Sequence, residues 1–178
     1  MMKLSTLIGV FLISIIPALS QDFIEVAEAQ GILPGGCGNC NDGGGVSFAD
    51  FNGDGLDDIT FGTESGEPML FYQNNGSSFD LLNPAPVSIT DETKQILWND
   101  IDNDGDKDLF VCNFNAPNRL FENEGNLVMS EITTLAGLPI NNNPTYSASF
   151  GDYNNDGFLD LYVTEWGESF ALRNRLYR

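Results

Sequence analysis

"WNDIDNDGDKDLFVCN", Trp98 to Asn113, places five aspartates in the nine residues from Asp100 to Asp108. Like charges this close repel one another unless something positive sits among them. Asp100, Asp102 and Asp104 alternate, so a tight loop turns every second side chain inward. Gly105 follows, where a sharp turn calls for positive φ. Asp106 offers its backbone carbonyl and Asp108 closes the loop, which makes five oxygen donors at alternate positions. That set suits calcium, which takes about six to eight oxygens at roughly 2.3–2.6 Å, whereas magnesium holds to a stricter octahedron. The loop contains no His or Cys, so zinc and copper fit poorly.

One loop rich in Asp, Asn and Gly is also ordinary turn chemistry. This chain carries three. "DFNGDGLDD" supplies Asp50, Asn52, Asp54, the Leu56 carbonyl and Asp58. "DYNNDGFLD" supplies Asp152, Asn154, Asp156, the Phe158 carbonyl and Asp160. All three read D-x-[DN]-x-D-G-x-x-D, and their starts lie 50 and 52 residues apart. Turn formation does not demand an acid at the ninth position three times. The expectation is about three calcium ions, one in each loop.

The charge agrees with this. The net charge is −19, and 12 of the 26 acids lie inside the three loops. So acidic a chain is poorly suited to nucleic acid or to anionic membrane surfaces. Met1-Met2-Lys3 followed by the apolar run Leu4 to Ile16 and by Pro17-Ala18-Leu19-Ser20 reads as a secretion leader cleaved before Gln21. The run is too short to span a bilayer, and no later segment is apolar enough to cross one. Export makes a local disulfide plausible for Cys37 and Cys40 in "GGCGNCNDGGG". Cys112, inside an apolar run, reads as a buried strand thiol.

Around each loop the same pattern returns. "VSFAD", "ILWND" and "ASFGD" precede the loops, each with an aromatic two residues before the first Asp: Phe48, Trp98 and Phe150. "DITFG", "DLFVC" and "DLYVT" follow, short β-branched and aromatic runs that favour strands. Leu109 and Val111 lie on one face, as do Ile59 with Phe61 and Leu161 with Val163, while Phe110 and Tyr162 lie on the other. Both faces are apolar, so both are covered, as when sheets stack on sheets. "LFYQNNG" matches "RLFENEG", and "FIEVAEAQGI" (Phe23–Ile32) matches "MSEITTLAGL" (Met129–Leu138). Each unit thus has about four short strands. Four-stranded units at this period point to β-propeller blades. An EF-hand is excluded, because its bidentate Glu at position 12 is replaced by Phe61, Val111 and Val163.

These loops resemble the calcium loops of FG-GAP repeats, also called VCBS repeats, found in integrin α-subunit propellers and many secreted proteins. Phe61-Gly62 and Asn115-Ala116-Pro117 are fragments of the pattern that names the family. Asn118–Gly125 and Phe23–Ile32 further resemble UnbV-like and cartilage-acidic-protein-like propellers. The resemblance implies an all-β fold of four-stranded antiparallel blades, about three here, forming an incomplete propeller. It divides the chain into a leader (1–20), a lead strand with a Gly/Cys-rich loop (21–45), repeat 1 (46–95), repeat 2 (96–146) and a truncated repeat 3 (147–178).

Function follows as an expectation: a secreted or cell-surface calcium-binding module for adhesion or for an extracellular protein or glycan, without catalysis. The alternative is a piece of a secreted propeller enzyme acting on polysaccharide. Against it, the chain has no His, the commonest general acid–base. Acids outside the loops remain, among them Glu64, Glu67, Glu165 and Glu168 near a blade rim.

Overall fold

The computed structural model describes residues 22–33, 44–83, 85–166 and 174–178. The leader, Cys37, Cys40 and Glu168 lie outside them. Among the described residues, no helix is long and apolar enough to cross a membrane.

Three antiparallel sheets follow one another along the chain. The first is built in order from β1 (Val46–Ala49), β2 (Asp58–Phe61), β3 (Leu70–Asn74) and β4 (Phe79–Leu81). The second repeats it with β5 (Thr93–Asn99), β6 (Asp108–Asn113), β7 (Arg119–Asn123) and β8 (Met129–Glu131). The third holds β9 (Thr145–Gly151), β10 (Asp160–Glu165) and β11 (Arg175–Tyr177). Registers correspond: Phe48 faces Ile59, Trp98 faces Leu109 and Phe150 faces Leu161. The first strand of the second sheet, β5, neighbours both β1 and β9, so the sheets stack blade on blade, as in a propeller.

Alternation along each strand explains the stacking, since successive side chains point to opposite faces. All six residues of β6 are buried. Leu109 and Val111 pack with Ile96, Trp98 and Phe121 against Phe51 and Phe71 of the first sheet. Phe110 and Cys112 pack with Leu120 and Leu138 against Ala148, Leu161 and Val163 of the third. Each large apolar side chain so buried stabilises by about 1.5–3 kcal/mol. Trp98 also donates its indole N–H to Thr60 Oγ1 at 3.1 Å, tying the first two sheets together. Cys112 is a buried free thiol, as its place in the apolar run suggested.

Two details differ from the sequence reading. The lead segment is not a strand over its described residues. Residues 22–26 are irregular, and a short 3-10 turn, Glu28–Gln30, closes on Gly31. The cause is pairing: a strand needs a neighbour, and the local bonds from Gly31 N to Glu28 O and from Ile32 N to Ala27 O form without one. The boundaries at 95/96 and 146/147 also fall inside strands, because β5 starts at Thr93 and β9 at Thr145. In β5 a register shift between Thr93 and Gln95 carries the pairing across an irregular step that apolar patterning does not mark.

Candidate metal-binding loops

Each Asp-rich loop joins the first strand of a sheet to the second, and the three fold alike. Asp50 accepts the N–H of Gly53 at 2.8 Å and of Asp54 at 3.1 Å on Oδ1, and that of Gly55 at 2.8 Å on Oδ2. Asp100 accepts Asp104 and Gly105, each at 3.1 Å. Asp152 accepts Asp156 at 3.1 Å and Gly157 at 2.9 Å. The third position repeats this: Asn52, Asp102 and Asn154 each accept the N–H of the fifth residue. The fifth then accepts the seventh, Asp54 from Leu56, Asp104 from Asp106 and Asp156 from Phe158. These bonds require left-handed backbone at the sixth position, and Gly55, Gly105 and Gly157 have φ of 88°, 100° and 91°.

The ninth-position acids are buried: Asp58, Asp108 and Asp160 expose 0%, 2% and 3%. A buried carboxylate must be hydrogen-bonded. Asp58 accepts Phe51 N–H at 3.1 Å and Asn74 N–H at 2.8 Å. Asp108 accepts Ile101 and Asn123, both at 2.8 Å. Asp160 accepts Tyr153 at 3.0 Å. Burial pushes the Asp58 and Asp108 carboxyls above the usual range, opposed by these backbone bonds and reinforced by the neighbouring loop aspartates.

The second loop brings carboxylate oxygens of Asp100, Asp102 and Asp108 within 4.8 Å of one another. Two oxygens on one calcium ion are at most about 4.6–5.2 Å apart, twice the metal–oxygen distance. The donor set therefore fits a hard divalent cation. Asp104 stands outside this trio. The first and third loops form no such group of three acids among the described residues, since their third position is an amide. There Asn52 and Asn154 donate Nδ2 to Asp54 and Asp156 Oδ2, at 3.1 and 2.9 Å. Asp102, a carboxyl group in place of the amide, has no Nδ2 to make that bond.

Asn74 and Asn123 complete the loops and were not singled out by motif spacing. Besides their backbone bonds to the ninth-position acids, their Nδ2 groups donate to the carbonyls of Asp57 and Lys107 at 3.1 and 3.3 Å. The signal was the shared Asn in "LFYQNNG" and "RLFENEG". Asn103 Nδ2 also donates to Gly157 O at 3.0 Å, joining the second loop to the third. Glu165, one of the rim acids, is held by Arg175 and Asn143, each at 3.1 Å.

Comparison with known proteins gives the same unit. The FG-GAP-like repeat family matches residues 50–111 and 100–163, each window running from one Asp-rich loop through the next and into its following strand. Cartilage acidic protein 1 of Homo sapiens is 29% identical over 148 residues, 76% of this chain and 22% of that protein. Its namesake from Xenopus tropicalis is 29% identical over 160 residues, 84% of this chain and 24% of that protein. The aligned region thus spans less than a quarter of these relatives. Three stacked sheets with matching loops, and family matches over more than half its length, place this chain in the FG-GAP-like repeat family.

Proposed function

We propose that this chain is an extracellular, calcium-stabilised repeat module that presents its loops to a protein or glycan and carries out no catalysis. The observation that carries the reading is the convergence of Asp100, Asp102 and Asp108 within 4.8 Å at the turn between β5 and β6. The first and third loops have the same backbone bonds and would hold calcium through Asp50, Asn52, Asp54, Leu56 O and Asp58, and through Asp152, Asn154, Asp156, Phe158 O and Asp160. Asp104 and the Asp106 carbonyl would complete the second set. Calcium supplies the positive charge that the loops lack. The leader supports export, and the likeness to the cartilage acidic proteins, named for an extracellular tissue, supports an extracellular setting. The pairing of Glu165 with Arg175 and Asn143 supports a structural role for that acid over a chemical one.

Titration calorimetry of the chelated protein is expected to give about three equivalents of calcium, with dissociation constants on the order of 10⁻⁴–10⁻³ M typical of extracellular modules. Calcium at about ten times its dissociation constant stabilises by about 1.4 kcal/mol per site. Three sites raise the melting temperature by about 8–16 °C for a domain of this size. One equivalent or none, with a melting curve indifferent to calcium and chelator, sinks the reading.

A further inference from the structure

The fourth position of every Asp-rich loop takes a left-handed backbone: Gly53, Asn103 and Asn155 have φ of 75°, 66° and 59°. Gly adopts that conformation freely and Asn more readily than other residues. The second and third loops meet the demand with Asn, and the first meets it with Gly. The first loop therefore carries Asn52-Gly53, an asparagine followed by a residue with no side chain to shield its backbone nitrogen. Asn154 is followed by Asn155, and the third position of the second loop is already an acid, Asp102.

An Asn-Gly pair has a chemistry of its own. The Gly53 backbone nitrogen can attack the side-chain carbon Cγ of Asn52. A new C–N bond forms and the bond from Cγ to Nδ2 breaks. Ammonia leaves, taking the proton that the backbone nitrogen gives up, and a cyclic imide remains. Water then opens the ring. Opening at the side-chain carbonyl leaves aspartate at position 52. Opening at the main-chain carbonyl leaves isoaspartate, in which the backbone runs through the side chain. Water is the only co-reactant, and nothing is oxidised or reduced.

The loop leaves room for this and also restrains it. Asn52 is half-buried, Gly53 is exposed, and a Cβ placed on Gly53 would meet nothing within 4 Å among the described residues. Asn52 Oδ1 accepts the Asp54 N–H at 2.9 Å, and Asn52 Nδ2 donates to Asp54 Oδ2 at 3.1 Å, so both ends of the amide are turned to Asp54. The Gly53 N–H donates to Asp50 Oδ1 at 2.8 Å. These restraints end on Asp50 and Asp54, two acids that repel each other in an empty loop. A second pair, Asn75-Gly76, sits in the turn between β3 and β4 on other supports. Asn75 Oδ1 accepts the N–H groups of Ser77 and Ser78 at 3.0 and 2.9 Å, and Asn75 Nδ2 donates to Asp80 Oδ2 at 2.7 Å. These partners lie outside the Asp-rich loops.

We propose that Asn52 deamidates spontaneously while the first loop is empty of calcium and is protected while calcium fills it, so the loop records the time it has stood empty. The inference rests on the calcium reading above, in which Asn52 would be a ligand through Oδ1 and its side chain would be held inward. In the empty loop, repulsion among Asp50, Asp54 and Asp58 loosens the restraints, and Cγ comes within reach of Gly53 N. The two products differ in consequence. Aspartate gives the first loop the acid that the second has at Asp102. Isoaspartate lengthens the backbone by a methylene and breaks the alternation that turns every second side chain inward.

The test is incubation of the full 178-residue chain at neutral pH, one portion in calcium and one in chelator. Peptide mapping by mass spectrometry reads the conversion of amide to acid at each asparagine, and chromatography separates aspartate from isoaspartate. Calcium at about ten times its dissociation constant leaves about one loop in ten empty, so Asn52 should convert about ten-fold faster in chelator. Asn75 is the internal reference and should convert at the same rate in both portions. Equal rates at Asn52, or protection of Asn52 and Asn75 by the same factor, overturns the proposal. Calorimetry on the same preparations separates two failures. Equal rates with calcium bound sink this inference alone, and equal rates without calcium uptake sink the calcium reading with it. Gly53→Asn keeps the left-handed turn, as Asn103 and Asn155 do at the same position, and should slow Asn52 in chelator to the rate of Asn154. Unslowed conversion in this variant counts against the proposal.

Discussion

Asn123 and Asp108 bind each other's strands from both sides. The Asn123 backbone N–H donates to Asp108 Oδ1 at 2.8 Å, while Asn123 Nδ2 donates to the Lys107 carbonyl beside it. The loop is thereby anchored to a strand 15 residues further along the chain. Asn123→Ala keeps the backbone bond and loses the side-chain ones, at an expected cost of about 1–3 kcal/mol. Asn123→Asp is expected to cost more, since it places a second carboxylate beside buried Asp108. Chemical denaturation of the two variants in calcium, compared with the parent, checks the order.

The loops are expected to differ in affinity. The second offers carboxylates at its first, third, fifth and ninth positions, while the first and third loops have Asn at the third. Affinity in such sites follows ligand charge. The second loop should fill first as calcium is added. Asp102→Asn makes its donor set match the others and should bring its affinity level with theirs. Titration of the variant reads this directly; an unchanged tightest site would place the strongest ion elsewhere.

Occupancy should couple the second and third loops through Asn103, which donates to the Gly157 carbonyl. Among the described residues the first loop makes no hydrogen bond to either of the other two loops, and it should titrate independently, since separated sites usually add. Asp54→Ala should therefore remove one equivalent and leave the other two unaltered. Asp104→Ala should remove one and shift the affinity of the third loop. Asn103→Ala should abolish that shift.

Trp98 fills the space between the first two sheets and hydrogen-bonds Thr60, which is itself buried. Trp98→Ala is expected to destabilise by about 3–5 kcal/mol through lost burial and the cavity left behind. Trp98→Phe retains most of the contact and should cost about 1–3 kcal/mol, chiefly for the stranded Thr60 hydroxyl. Thermal melts at saturating calcium separate the two.

Burial pushes the Cys112 thiol up to about 12. A raised acid pKa means that the folded state disfavours the thiolate. Its stabilising share is whole below the ordinary thiol range and is lost as pH rises from there towards 12. In a Cys37→Ser/Cys40→Ser background, Cys112 should resist alkylation at pH ~8 and react only on unfolding, since reactivity follows thiolate and access. Labelling in native buffer at the rate seen in denaturant would contradict its burial.

The blades were legible because two signals coincided three times: the Asp spacing fixed each turn, and the β-branched runs beside it fixed each strand. Leu109, Phe110, Val111 and Cys112 announced a strand covered on both faces, and both cores contain them. Asn74 and Asn123 were harder to read, because Asn beside Gly is also plain turn chemistry. Their role depends on meeting an acid 15 or 16 residues earlier, which no local pattern states. Phe23–Glu25 looked like a strand by repeat matching and is not one, because a strand exists only when another chain segment accepts its hydrogen bonds.

The central sheet is flanked on both faces, whereas each outer sheet has one core to lean on. In such a stack, cohesion resides in the contacts between neighbours. Amide hydrogens of Leu109 to Cys112 can exchange with solvent only when both cores come apart, so their exchange reports the opening of the whole molecule. Those of β2 and β10 each need a single core to part. The molecule should therefore melt from its ends inward, with deuterium reaching β6 last.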